Sequence, residues 1–124
     1  MEMNRKRIQF VSDDLVDQIV AGRKTASVAA LGEVDLKEDD YNDALVVGEY
    51  YDVHDSTLTR RATIRVVAME LCRWESIPER LWRGEGNRNA DEFRQDHEEY
   101  FEGPAPGFEF VAYYFELASD RFAG

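Results

Sequence analysis

Cysteine is nearly absent from this sequence, and that scarcity is the first constraint on what the chain can be. The single residue Cys72 permits no internal disulfide and cannot build a cysteine-rich zinc site, which fits a reducing compartment. Its expected place is as a small core residue rather than a nucleophile. Long apolar runs are missing as well. No stretch approaches the roughly 20 apolar residues that cross a bilayer, and residues 1–7 lack the apolar segment of a secretory signal, so a cytoplasmic location away from membranes is expected. Histidine occurs only as His54 and His97, which make no visible metal-ligand set, and neither a metal nor another cofactor is expected. Repeats, linkers and low-complexity tracts are lacking too, and 124 residues supply one core rather than two, so a single domain over 1–124 is expected.

Positive charge is also in short supply. Lysine and arginine number 15 against 26 acidic residues, a net charge of −11. A field of that sign repels a polyphosphate unless the cations gather on one face, which argues against a general nucleic-acid binder. The cations do cluster locally, at residues 5–7, 23–24 and 60–61. A basic pocket inside an acidic shell suits a small ligand better than a long polymer.

Against these absences stands a strand-rich pattern. Residues 7–11 read as a short strand, and Ser12 caps a helix over residues 13–21, whose Leu15, Val16, Ile19 and Val20 form an apolar stripe. Gly22 stops that helix just before Arg23-Lys24-Thr25, a turn position of the kind that presents functional side chains. Residues 32–48 are acidic and weakly patterned and read as a lid-like loop. The runs 46–53 and 62–71, joined by the polar stretch 55–61, read as an antiparallel hairpin. Ser76-Ile77-Pro78-Glu79 has the form of a capping box, for a helix over 77–82, and Asn89 to Glu92 has its asparagine-based form, for a helix over 90–101. Residues 103–107 break the chain with glycine and proline, and 108–117 make a long aromatic strand. Strands with helices inserted and no βαβα alternation predict an α+β fold around a curved or closed antiparallel sheet.

Three stretches in this order resemble the ASCH family. They are Ala21-Gly22-Arg23-Lys24-Thr25-Ala26-Ser27, then Val47-Gly48-Glu49-Tyr50, then Trp82-Arg83-Gly84-Glu85-Gly86 leading into Phe93-Arg94-Gln95-Asp96-His97-Glu98-Glu99-Tyr100-Phe101. The terminal Phe115-Glu116-Leu117 is similar to the family's last strand. The resemblance covers nearly the whole chain and implies a PUA-like β-barrel with peripheral helices. It also implies an activity, because some small bacterial ASCH proteins are amidohydrolases that remove the acyl group from N4-acetylcytidine, giving cytidine and acetate. Their lysine, hydroxyl residue and glutamate fall on Lys24, Ser27 and Glu85, with serine here where those enzymes carry threonine. Arg23, Thr25 and Trp82 are the accompanying substrate-binding candidates. The acidic loop is shared with longer ASCH proteins, one of which is described as a ribonuclease, so an RNA-binding or RNA-cleaving module is the alternative.

The chemistry of these side chains leaves two assignments open. In one, Ser27 attacks the acyl carbon, a neutral Lys24 takes its proton, and Glu85 donates to the leaving amine. In the other, Lys24 stays charged to stabilise the oxyanion and Glu85 is the base. Each residue also has a structural alternative. Arg23 and Lys24 follow a helix end, where the macrodipole favours cations by roughly 0.3–1 kcal/mol. Ser27 would serve equally as a strand hydroxyl and Glu85 as a solvated turn residue. Trp74 is assigned to the core, and His97, on a helix face, to packing.

Overall fold

The structure is a computed structural model and describes residues 6–10, 12–31 and 45–118. Most of the lid-like loop expected over 32–48 falls outside the described residues. The chain runs β1 (Lys6–Gln9), α1 (Asp13–Val20), β2 (Ala26–Ala30), β3 (Tyr50–His54), β4 (Arg60–Arg73), α2 (Glu79–Gly84), α3 (Ala90–His97) and β5 (Glu109–Leu117). This is the α+β fold that the sequence pattern predicts. Among the described residues, no helix is long and apolar enough to cross a membrane.

The five strands form one sheet in the order β1-β3-β4-β5-β2, with β1 and β2 at its two ends. The sheet is mixed, which corrects the expectation of a wholly antiparallel one. β1 runs parallel to β3, with Lys6 opposite Tyr51 and Gln9 opposite His54, while the other three pairings are antiparallel. Parallel neighbours need a long crossover, and α1 together with β2 at the far end of the sheet supplies it. The long β4 and β5 form the centre. Their register shifts between Val66 and Ala68, so that Val67 is left unpaired as a bulge and exposed.

Apolar side chains fill both faces of this sheet. One cluster gathers Ile8, Phe10, Val16, Ile19, Ala29, Tyr51, Ile64, Val66, Tyr113 and Phe115, beneath α1. Val16 and Ile19 are fully buried there, each contributing about 1.5–3 kcal/mol of transfer free energy. The second cluster lies under α2 and α3 and holds Ala26, Val28, Cys72, Trp74, Ile77, Leu81, Phe93, Phe101, Phe110 and Tyr114. Strand alternation along β2 explains the division, since Ala26 and Val28 point one way and Ala29 the other.

Element ends follow capping chemistry, with some corrections. Ser12 accepts from Leu15 N–H at 3.3 Å and Asn89 from Glu92 N–H at 2.8 Å, as their motifs predict. The box at Ser76 does not form. Ser76 bridges back to Arg73, Pro78 takes the cap position without a side-chain bond, and α2 begins at Glu79. The expected strand over 46–53 begins only at Tyr50, because Gly48 turns the chain at φ +95° and leaves Val46 and Val47 exposed. The helix expected over 90–101 ends at His97; turns carry the chain on to Phe101, which is buried beside Trp74. Asn89→Ala should therefore cost about 0.5–2 kcal/mol in urea denaturation, from loss of the cap that starts α3.

Candidate active site

The turn that carries Lys24 is fixed by backbone bonds on three sides. Gly22 leaves α1 at φ +81°, a left-handed conformation that suits glycine, and the N–H groups of Arg23 and Lys24 both reach Gln18 O, at 2.9 and 3.1 Å. Thr25 then donates to Gly84 O at 2.7 Å and accepts from Phe115 N–H at 2.9 Å, which ties the start of β2 to the end of α2 and to β5. Gly84 must be small at this junction. A Cβ there would lie 2.6 Å from Ala26 Cβ and 3.2 Å from Thr25 Oγ1. Helix and strand thus meet almost backbone to backbone, and the residue after Gly84 is brought against the residue before Thr25.

That meeting forms the buried pair Lys24 and Glu85. Their side chains are only 2% and 5% exposed, and Nζ contacts Oε1 directly. The ammonium also donates to Ala26 O at 2.7 Å and lies 5.9 Å from the centre of the Phe10 ring. Glu85 uses its other oxygen as well, with Oε2 at 3.1 Å from His97 Nε2. Burial alone would raise the Glu85 pKa, but the His97 hydrogen bond and the Lys24 charge outweigh it and hold the carboxyl below its ordinary range. Glu85 is accordingly a carboxylate clamped from both sides.

His97 is the site member that sequence reasoning assigned to packing. It does pack, stacked on Phe93 with ring centres 4.1 Å apart, and its Nδ1 lies 2.8 Å from Phe93 O. The helical phase that puts Phe93 inside puts His97 one turn further along the same side. The signal that would have found its partner, the approach of Glu85, is tertiary.

The other expected residues divide. Ser27 is buried in β2 opposite Tyr113, and alternation puts it on the face of Ala29, the face to which Phe10 also belongs. No hydrogen bond joins its hydroxyl to Lys24 or Glu85. Arg23 is exposed, and Trp82 is half-buried against the second cluster with the Arg83 guanidinium 5.0 Å from its ring. Thr25 lines an open cavity of about 370 Å³ together with Arg80, Arg83, Gly84, Tyr114 and Glu116. Lys24, Ser27 and Glu85 do not line it. The cavity starts one residue from each of the paired charges, at Thr25 and Gly84. Cys72 is buried in the second cluster, where burial pushes its thiol up to about 12, away from nucleophilic chemistry. Among the described residues, no group of three or more histidine, cysteine or acidic side chains is arranged to hold a metal.

The comparisons with known proteins agree with this architecture. The ASCH domain model matches residues 6–119, and the chain belongs to the ASCH family. A crystal structure of an ASCH domain from Lactobacillus crispatus JV V101 is similar at TM-score 0.71 and 16% identity, over 90% of this chain and 79% of that one. A protein of Enterococcus faecalis V583, of the family DUF984, gives 0.66 and 21% over 95% and 83%. The ASCH protein of Zymomonas mobilis gives 0.54 and 16% over 93% and 67%. At these identities the likeness establishes the shared fold. A search of curated proteins gives no match at a significant level.

Because the folded pKa of Glu85 lies below its ordinary 4.5, its ionisation favours folding. That contribution is fully present above the ordinary value and is lost as pH falls through the lower, folded one. Glu85→Gln should consequently flatten the stability curve below about pH 4.5, as followed by acid unfolding monitored with tryptophan fluorescence. Gly84→Ala should cost about 1–3 kcal/mol by forcing α2 off β2, measured by urea denaturation.

Proposed function

We propose that this protein is an amidohydrolase of N4-acylated cytosine nucleosides, converting N4-acetylcytidine and water to cytidine and acetate. The observation that carries the reading is the buried contact of Lys24 with Glu85, the two positions to which the family resemblance assigns the catalytic lysine and glutamate. The PUA-like barrel implied by the same resemblance would curve the sheet so that β1 and β2 approach each other. The whole chain, 1–124, would then act as one such domain.

Of the two assignments open to the side chains, the geometry favours a charged Lys24. Its nitrogen donates to a carbonyl and to a carboxylate whose ionisation is favoured, an arrangement suited to an ammonium. Glu85 is then the base. It withdraws a proton from a water that attacks the acyl carbon, and the resulting oxyanion is stabilised by Lys24. Collapse breaks the carbon–nitrogen bond as the proton passes from Glu85 to the exocyclic nitrogen, leaving acetate and the free 4-amino group of cytidine. Ser27, buried on the sheet face nearest Phe10 and not bonded to either charge, serves to orient the acyl group or the water. Thr25 provides a substrate contact at the edge of the neighbouring cavity, with Arg23 and Trp82 outside this first contact. No metal or cofactor is required by these steps, and the proposed partner is a small nucleoside.

Incubation with N4-acetylcytidine, followed by chromatography of cytidine, tests the proposal. The expected result is turnover by the wild type and a loss of about 10²–10⁴-fold in both Lys24→Ala and Glu85→Gln. A covalent acyl group on Ser27 in quenched samples would move the nucleophile from water to serine. A folded wild type that leaves acetyl and longer acyl cytosines untouched overturns the proposal. RNA binding that falls steeply with salt would then support the RNA-module alternative, which the net charge of −11 disfavours.

A further inference from the structure

The hydrogen bonds around His97 constrain where its protons sit. Nδ1 lies 2.8 Å from the carbonyl oxygen of Phe93, an atom that can only accept, so Nδ1 carries a hydrogen. Nε2 lies 3.1 Å from Glu85 Oε2. Were the ring neutral with its one hydrogen on Nδ1, the Nε2 lone pair would face a carboxylate oxygen, and two acceptors would be pressed together. A proton must lie between them, either on the imidazole or on the carboxyl.

Its location follows from the surroundings. Lys24 and His97 are the groups that act on Glu85, one from the turn before β2 and one from α3. The remaining faces of the imidazole meet the rings of Phe93 and Phe101, stacked with centres 4.1 and 6.5 Å away. An aromatic face favours a cation over a neutral ring. Lys24 meanwhile occupies Oε1 and favours the ionised carboxylate.

We propose that His97 is a positioning residue for Glu85, an imidazolium locked by the Phe93 carbonyl that donates through Nε2 and fixes the carboxylate opposite Lys24. The three side chains then carry a net charge of +1: two cations and one anion. Such a centre favours a transition state that gains negative charge over a neutral substrate, so the effect is expressed in turnover more than in binding. Without the Nε2 proton the contact is repulsive and the charge falls to zero, which ends both services at once. The role in turnover rests on the amidohydrolase reading; the placement of the protons does not.

The experiment has two arms for that reason. Nitrogen-15 NMR of the histidine ring at neutral pH reports the protons without reference to any substrate. Both ring nitrogens of His97 should be protonated in the wild type, and Nε2 should lose its proton in a variant with Leu at Glu85 (E85L). A ring protonated on Nε2 alone, or a neutral ring in the wild type, overturns the proposal whatever the enzyme's substrate. In the kinetic arm, His97→Phe keeps the stacking and removes the donor; kcat should fall roughly 10- to 100-fold while KM changes little. His97→Gln places an amide N–H near Nε2, so it should recover part of the kcat lost in His97→Phe. Wild-type kcat in His97→Phe, or no recovery in His97→Gln, contradicts the role even if the protein hydrolyses N4-acetylcytidine as proposed.

Discussion

The contact between Lys24 and Glu85 is the constraint around which the fold is arranged. Sixty-one positions separate the partners in sequence, and two charges taken out of water are tolerated only when each is matched by the other and by further hydrogen bonds. Ala26 O supplies the extra acceptor on one side and His97 the extra donor on the other. To bring them together the chain needs a tight exit from α1, a helix end with no side chain at Gly84, and the backbone bond from Thr25 to Gly84 that clamps the two. Together they hold two charged side chains at a fixed separation inside the fold.

The sheet serves that junction by keeping the two apolar clusters apart. α1 packs on one face and sends its C-terminal turn to Lys24, while α2 and α3 pack on the other and send Glu85 and His97 to meet it. The charges therefore sit where the faces come together at the start of β2. A buried carboxylate with a partner on each oxygen, Lys24 on Oε1 and His97 on Oε2, has its geometry set before any substrate arrives, which is the condition for electrostatic stabilisation without reorganisation.

What could be read from the sequence was what is locally encoded. Ser12 and Asn89 announce helix starts because a side-chain oxygen three residues before an N–H is a local geometry. Gly22 announced the turn that presents Lys24, and the runs of β-branched and aromatic residues announced the β3–β4 hairpin and the terminal strand. The failures are of another kind. Ser76 has the letters of a capping box, but its backbone is taken by Arg73, and the helix starts later. The parallel pairing of β1 with β3 leaves no local mark, since it depends on where the crossover returns. Ser27 was marked as a site residue by the family resemblance, and it lies buried in β2 without a bond to the charged pair. His97 was legible as a packing residue, which it is, and illegible as a partner of Glu85, which only the tertiary structure reveals.

The central claim is that Lys24 and Glu85 form one buried electrostatic unit on which the reaction depends, and a double-mutant cycle tests it most directly. Lys24→Met and Glu85→Leu would be made singly and together, with unfolding free energy from urea titration and turnover of N4-acetylcytidine measured on all three. The account predicts that each single change, by stranding a buried charge, costs about 3–5 kcal/mol, and that the double variant recovers much of that stability while staying inactive. Stability losses that simply add, or a double variant that still turns over substrate, would contradict it.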